Sequence, residues 1–188
     1  MACDDQRSAI LKDLNRSQFR EYLEYKSKVN QEVDSLFSRL VQLEDRRDIN
    51  RLSNRINTIW MKSGIHQINT MMKIGVEAME VEKYDIAIQA FNEVISAMPD
   101  FAEVWNKRAN VWYTLEEYHK ALKDFDRVLA IEKRHFGALS GKANVFIKLR
   151  EYEKARDALL ELKSIFPNFP EINQRIDDIN QRIGIKFA

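Results

Sequence analysis

The sequence predicts an all-α protein built as a short array of helical hairpins. Three observations carry this. The chain repeats itself every 34 residues: Gly75, Ala109 and Ala143 share a column, as do Tyr84, Tyr118 and Tyr152. Ala87, Ala121 and Ala155 form another column, followed by Phe91, Phe125 and Leu159 and then by Val94, Val128 and Leu162. Within one copy the apolar residues recur at helical spacing. Finally, five Gly and three Pro among 188 residues leave little material for loops.

The copy over 102–135 shows the physics of one unit. Val104, Trp105, Ala109, Trp112 and Leu115 form one apolar stripe; Tyr118, Ala121, Leu122, Phe125, Val128 and Leu129 form a second. The short polar joint Glu116–Glu117 separates them, so each copy reads as two amphipathic helices. Ala109 and Ala121 are small where the two helices approach. Trp105, Trp112 and Phe125 are expected to fill the space between hairpins. One hairpin cannot bury its apolar face alone, whereas three stacked hairpins bury a continuous core and create a curved surface. The period and these columns resemble the tetratricopeptide repeat family, with copies at 68–101, 102–135 and 136–169. The resemblance implies a right-handed array of three hairpins.

In chain order, residues 4–15 can form a short helix with Ile10, Leu11 and Leu14 on one side, and Ser17 is placed to cap the next segment. From 19 to 46 the pattern is long: Tyr22, Val29, Leu36 and Leu43 repeat every seven residues, with Lys26, Val33 and Leu40 as a second seam. Such a helix either packs along the protein's own repeats or pairs with a second copy or a partner. Asp45–Arg46–Arg47–Asp48 is a polar break. A helix with Ile49, Leu52, Ile56, Ile59 and Trp60 follows, and Gly64 ends it in the left-handed conformation. Trp60 is expected to cover the outer side of the first repeat. Beyond the third repeat, Pro170 starts a last helix whose stripe is Ile172, Ile176, Ile179 and Ile183. Asp177 stands there in the Gly/Ala column, which bars a further hairpin and suits an end helix. The expected organisation is thus an N-terminal helical extension (1–47), a helix capping the first repeat (48–67), three repeats (68–169) and a C-terminal capping helix (170–188).

The net charge of +1, with acids and bases interleaved, argues against nucleic acid as the main partner. The single Cys3 excludes an internal disulfide and a Cys-based metal cluster. No run of apolar residues is long enough for a membrane span, and the N-terminus lacks a secretory signal. The expected location is soluble and intracellular, or an organelle matrix or stroma if a transit peptide has been removed. No phosphate-binding loop, nucleophile elbow or HExxH spacing occurs; His66, His119 and His135 stand apart, the last two at joints where a solvated or capping role is the default. No catalytic residue, metal ligand or cofactor is expected, and the protein reads as a non-enzyme.

In the resembled family one helix of each hairpin lines a concave groove. The repeat alignment puts Asn69, Met72, Lys73, Val76 and Met79 there in the first copy. It puts Glu103, Asn106, Lys107, Asn110 and Tyr113 there in the second, and Ser140, Gly141, Asn144, Ile147 and Lys148 in the third. Asn110 and Asn144 share a column. Each amide offers a donor and an acceptor, so the pair either holds a ligand backbone or bonds the protein's own groups. One variant of the family clamps the terminal carboxylate of chaperones with Lys, Asn and Arg at fixed positions. Here Met72 and Val76, then Gly137 and Gly141, occupy those positions, and the clamp is broken at both ends. Arg108 and Lys142 stand where the family has Leu. Each is expected to run its stem along the core and bring its charge to a neighbouring acid, the alternative being a basic spot on the groove wall. The segments EVDSLFSRL, INTIWMKSG, FAEVWNKRA and RHFGALSG further resemble small tetratricopeptide proteins of alphaproteobacteria and photosynthetic eukaryotes.

The expected function is a scaffold or adaptor that binds a peptide segment of a protein partner in the groove, with a role in complex assembly. The alternative is a structural subunit docked, or oligomerised, through the 19–46 helix.

Overall fold

The computed structural model describes residues 16–184, all of whose regular structure is helical. The helix expected over 4–15 lies outside the described residues. Two helices come first, α1 (Arg16–Leu40) and α2 (Arg46–Trp60). Three hairpins follow: α3 (His66–Glu80) with α4 (Tyr84–Ala97), α5 (Ala102–Thr114) with α6 (Tyr118–Ile131), and α7 (Phe136–Lys148) with α8 (Tyr152–Ile165). The last helix is α9 (Pro170–Ile183).

The repeat columns explain the hairpins. The joint in each places a non-glycine residue in the left-handed region: Glu82 (φ 57°), Glu116 (φ 59°) and Arg150 (φ 60°). The next residue's N–H then reaches back five positions, from Lys83 to the Ala78 carbonyl, Glu117 to Trp112 and Glu151 to Phe146. That bond closes the first helix and aims the second back along it. Phe91, Phe125 and Leu159 are fully buried against the small column of the facing helix. A Cβ built on Gly75 would stand 2.4 Å from the Phe91 ring, and one on Gly141 would stand 2.3 Å from Phe125. Gly141 therefore serves hairpin packing, which corrects its placement on the groove surface.

The first helices of successive hairpins contact one another more closely than the second helices do, so the array curves with α3, α5 and α7 on its inner face. Arg108 and Lys142 behave as expected. Arg108 forks onto Asp124 through two bonds of 2.7 Å and also reaches Asn92. Lys142 bonds Asp126 at 2.7 Å.

The N-terminal pair departs from expectation. Ser17 lies inside α1, where its hydroxyl bonds Glu21, rather than capping it. α1 starts on the first hairpin, where Tyr22 packs with Ile65, Ile68 and Met72, and Lys26 bonds Asp100. It ends on the third, where Phe37 meets Phe136 and Asp34 pairs with Arg134 at 2.8 Å. A 25-residue helix is about 37 Å long, which suffices to cross three hairpins spaced about 10 Å apart. Its apolar seam (Tyr22, Val33, Leu36, Leu40) is buried, and Val33, Leu36 and Leu40 pack in one core with the third hairpin. The seam considered for pairing with another chain is thus occupied within this one.

α2 runs back along α1, started by Asp45, whose side chain accepts from the N–H groups of Arg47 and Asp48. Gly64 adopts φ +84°, as its place in the sequence suggests. The apolar face of α2 joins the core of the third hairpin and α9 rather than capping the first. Trp60 stacks on His135, with ring centroids 4.3 Å apart and planes within 13°, and touches Phe136 at 5.1 Å. The reason is geometric: α1 carries the chain to the far end of the array, and a helix as short as α2 (15 residues) can return only part of the way. At the other end, α9 closes the third hairpin with Ile172, Ile176 and Ile179 while Asp177 and Asp178 face solvent.

Candidate functional site

The inner face takes its side chains from α3, α5, α7 and α9. Near the N-terminal ends of these helices it is built inward. Met72 is 1% exposed and packs in the core beneath α1, so it is removed from any ligand surface. Asn69 Oδ1 accepts from the Ser63 N–H and hydroxyl. Glu103, 5% exposed, accepts from His135 Nε2 at 2.9 Å and pairs with Lys107 at 3.3 Å. His135 Nδ1 accepts the Ala138 N–H at 3.2 Å, so the ring caps α7, as expected for a joint histidine, and its proton sits on Nε2. Burial pushes the Glu103 carboxyl up, but the His135 hydrogen bond, helped by the Lys107 charge and the Asn106 amide, outweighs it and holds the carboxyl below its usual range. Asn106, 6% exposed, donates to Glu103 at 3.3 Å, while its Oδ1 has no hydrogen-bond partner among the described residues. Asn106 and Lys107 are therefore structural neighbours of a buried Glu–His pair roofed by Trp60, and Asn106 is not an exposed groove residue.

Toward the C-terminal ends of the same helices the face is open. Asn110 is half-buried, and its amide forms no hydrogen bond with the described residues. Met79, Tyr113 and Ile147 are half-buried as well, with Tyr113 tilted on Tyr118 at 5.9 Å. Lys73 is exposed and pairs with Glu77 at 3.5 Å. The partner of Asn110 in the column, Asn144, is engaged on one side only. Its Oδ1 accepts from Arg175 at 2.7 Å, and Arg175 also donates to the Ser140 hydroxyl at 3.1 Å. Asn110, Tyr113, Asn144 and Ile147 are thus partly exposed, whereas Met72 and Asn106 are buried.

Arg175 was missed in the sequence although a signal existed. Counting one more period past Lys73, Lys107 and Gly141 lands on it, so the last helix continues the basic column of the inner face. The Glu103–His135 pair carried no such signal, because it joins two columns that only the stacking of hairpins brings together. Among the described residues no group of acids, histidines and cysteines could hold a metal ion, and no helix is long and apolar enough to cross a membrane.

Comparison with known proteins gives the same architecture. A family model described as "Tetratricopeptide repeat" matches residues 72–132 and 113–170, which together span more than half of the chain. A TPR repeat-containing protein of Rhizobium etli is 38% identical over 85 residues, which cover 45% of this chain and 42% of that relative. The match therefore spans less than half of the relative's length. Among solved structures, the first TPR domain of human RPAP3 superposes with a TM-score of 0.58 at 21% identity, covering 63% of this chain and 94% of that one. The TPR2B domain of yeast Sti1, in a pHsp70 complex, gives 0.56 at 19% identity over 63% and 96%. MamA protein gives 0.59 at 17% identity over 81% and 85%. At these identities the structures establish the fold alone.

Proposed function

Because the chain belongs to the tetratricopeptide repeat family, we propose that it is a non-enzymatic interaction scaffold that holds a peptide segment on the open part of its inner face. The carrying observation is the Asn110–Asn144 column. Two amides stand one hairpin apart; among the described residues, one has no side-chain partner, and the other has its oxygen bonded by Arg175 and no partner for its NH₂. Such a pair can satisfy peptide units of an extended chain while Met79, Tyr113 and Ile147 take its side chains. Support comes from the solved neighbours whose names record a bound peptide, an HSP90 peptide on the first TPR of Spaghetti and pHsp70 on the TPR2B domain of yeast Sti1. The Rhizobium etli relative supports kinship with small bacterial members of the family. A role in complex assembly follows naturally for a scaffold of this size.

The test replaces both amides. Asn110→Ala with Asn144→Ala is expected to weaken binding of partners isolated from the native source by more than about tenfold, as two backbone-directed bonds at about 1 kcal/mol each imply. Thermal stability should change little, because neither amide closes a buried bond within the hairpins. Unchanged partner recovery at matched folding would remove the inner face from consideration. The structural-subunit reading would then return, although Tyr22, Val33, Leu36 and Leu40 of α1 are already buried in this chain.

A further inference from the structure

A cavity of about 270 Å³ lies where α2, α7 and α9 meet, at one end of the inner face. Its walls are apolar: Ile49 from α2, Phe136 from α7, and Leu162, Phe166, Phe169 and Ile172 from the third hairpin and α9. Arg175 borders it. This guanidinium is half-buried, and burial alone pulls its proton affinity down. It has two hydrogen bonds, both to neutral oxygens, those of Ser140 and Asn144. No carboxylate pairs with it among the described residues. Glu171 lines the same cavity, but its Oε1 pairs with Arg46 at 2.7 Å, and its buried Oε2 has no hydrogen-bond partner among the described residues. Among the described residues, the half-buried basic side chains of α5 and α7 each have an acid: Lys107 has Glu103, Arg108 has Asp124 and Lys142 has Asp126.

Resting on the peptide-scaffold reading above, we infer that this pocket reads an acidic–apolar step in the bound segment: an Asp or Glu side chain pairs with Arg175, and an adjacent large apolar side chain enters the phenylalanine-walled cavity. Charge complementarity selects this occupant. A desolvated guanidinium has five donors in a fixed fork and uses only two of them here, both on neutral acceptors. A carboxylate supplies the charged, two-pronged partner that such a group lacks, at the lowest desolvation cost because Arg175 is already partly out of water. The cavity volume matches one aromatic or branched aliphatic side chain with room for the backbone beside it. The Ser140 and Asn144 contacts hold the guanidinium plane at the cavity edge, so the acid and the apolar side chain must be neighbours in the ligand.

The experiment uses the full chain, isotopically labelled, and four small probes followed by NMR: N-acetyl-Glu-Phe-amide, N-acetyl-Gln-Phe-amide, N-acetyl-Glu-Ala-amide and N-acetylphenylalanine. The first is expected to shift the Arg175 side-chain Nε–H signal and to bind at least about tenfold more tightly than the Gln and Ala versions, the usual scale for losing a charge-assisted pair or a buried ring. R175Q should abolish the preference for Glu over Gln. Equal binding of the Glu and Gln probes to the wild-type chain overturns the inference without any variant having to fold. Preference for N-acetylphenylalanine, whose carboxylate is a chain end, overturns the side-chain assignment. Failure here with Asn110 and Tyr113 still responding to longer partners would leave the scaffold reading standing; loss of both responses would end it.

Discussion

Truncating Trp60 tests whether the N-terminal pair is held to the array by the stack described above. The indole stacks on His135 at 4.3 Å and contacts Phe136 at 5.1 Å and Phe37 at 5.9 Å. It is half-buried. Removing about two thirds of an aromatic surface of roughly 200 Å² from water is worth about 3 kcal/mol at 25 cal/mol per Å². Ring–ring geometry adds about 0.5–1.5 kcal/mol per good pair, while residual burial in the unfolded chain subtracts a similar amount. Trp60→Ala should therefore cost about 3 kcal/mol, and Trp60→Phe about half of that. The loss should appear locally first. Urea unfolding gives the free energy, and hydrogen exchange locates it: amides of α1 and α2 should lose protection before those of α5 and α6. A cost below about 1 kcal/mol with α1 and α2 protection unchanged would refute the reasoning, because the pair would then be held by something other than this stack.

Three further outcomes follow from the packing and the charges. Asp124→Ala should destabilise the chain by about 3–5 kcal/mol in equilibrium denaturation, since it strands the half-buried Arg108 beside an apolar wall. Gly141→Ala should cost about 1–3 kcal/mol, because the new methyl group meets the buried Phe125 ring; a neutral substitution would show that the ring can move aside. Glu103, with its carboxyl held below the usual range, contributes stability that is complete above the unfolded value of about 4.3 and is lost as pH falls through the lower folded value. Denaturation series at falling pH should therefore be flatter below that point in Glu103→Gln than in the wild type, and parallel curves would show that the pair with His135 carries no linkage.

The hairpins were legible because their determinants are local and repeated. The Tyr column starts every second helix, the small column admits Phe91 and Phe125, and Pro170 opens α9 as its position suggests. Arg108 and Lys142 were legible for a similar reason: a charge in a column reserved for Leu must find an acid nearby. The path of α1 and α2 was not legible. The stripe containing Ile49, Leu52, Ile56 and Trp60 states that one face is buried but not which hairpin buries it. That choice depends on how far α1 carries the chain, which is a property of three hairpins together. The inner face was half legible for the same reason. Asn110 stays open while Asn106, one turn earlier on the same helix, is buried against Glu103 and the Gly137 corner of the next hairpin, and no residue within α5 encodes the difference.

Repeat arrays ordinarily behave like stacked plates, each unit sensing only its neighbours, so that ends loosen independently and the curvature breathes. α1 changes that mechanical character by fastening the first hairpin to the third, through Tyr22 packed with Ile68 and Met72 at one end and Phe37 against Phe136 at the other. It acts as a bowstring does on a bow. Opening or tightening the arc must stretch or slacken the string, so the bend is set before any ligand arrives. A segment settling on the inner face then meets a surface whose radius needs no adjustment, and the entropy otherwise lost in stilling that motion has already been surrendered during folding. Deleting α1 would leave the contacts between hairpins in place and yet return the arc to its ordinary freedom.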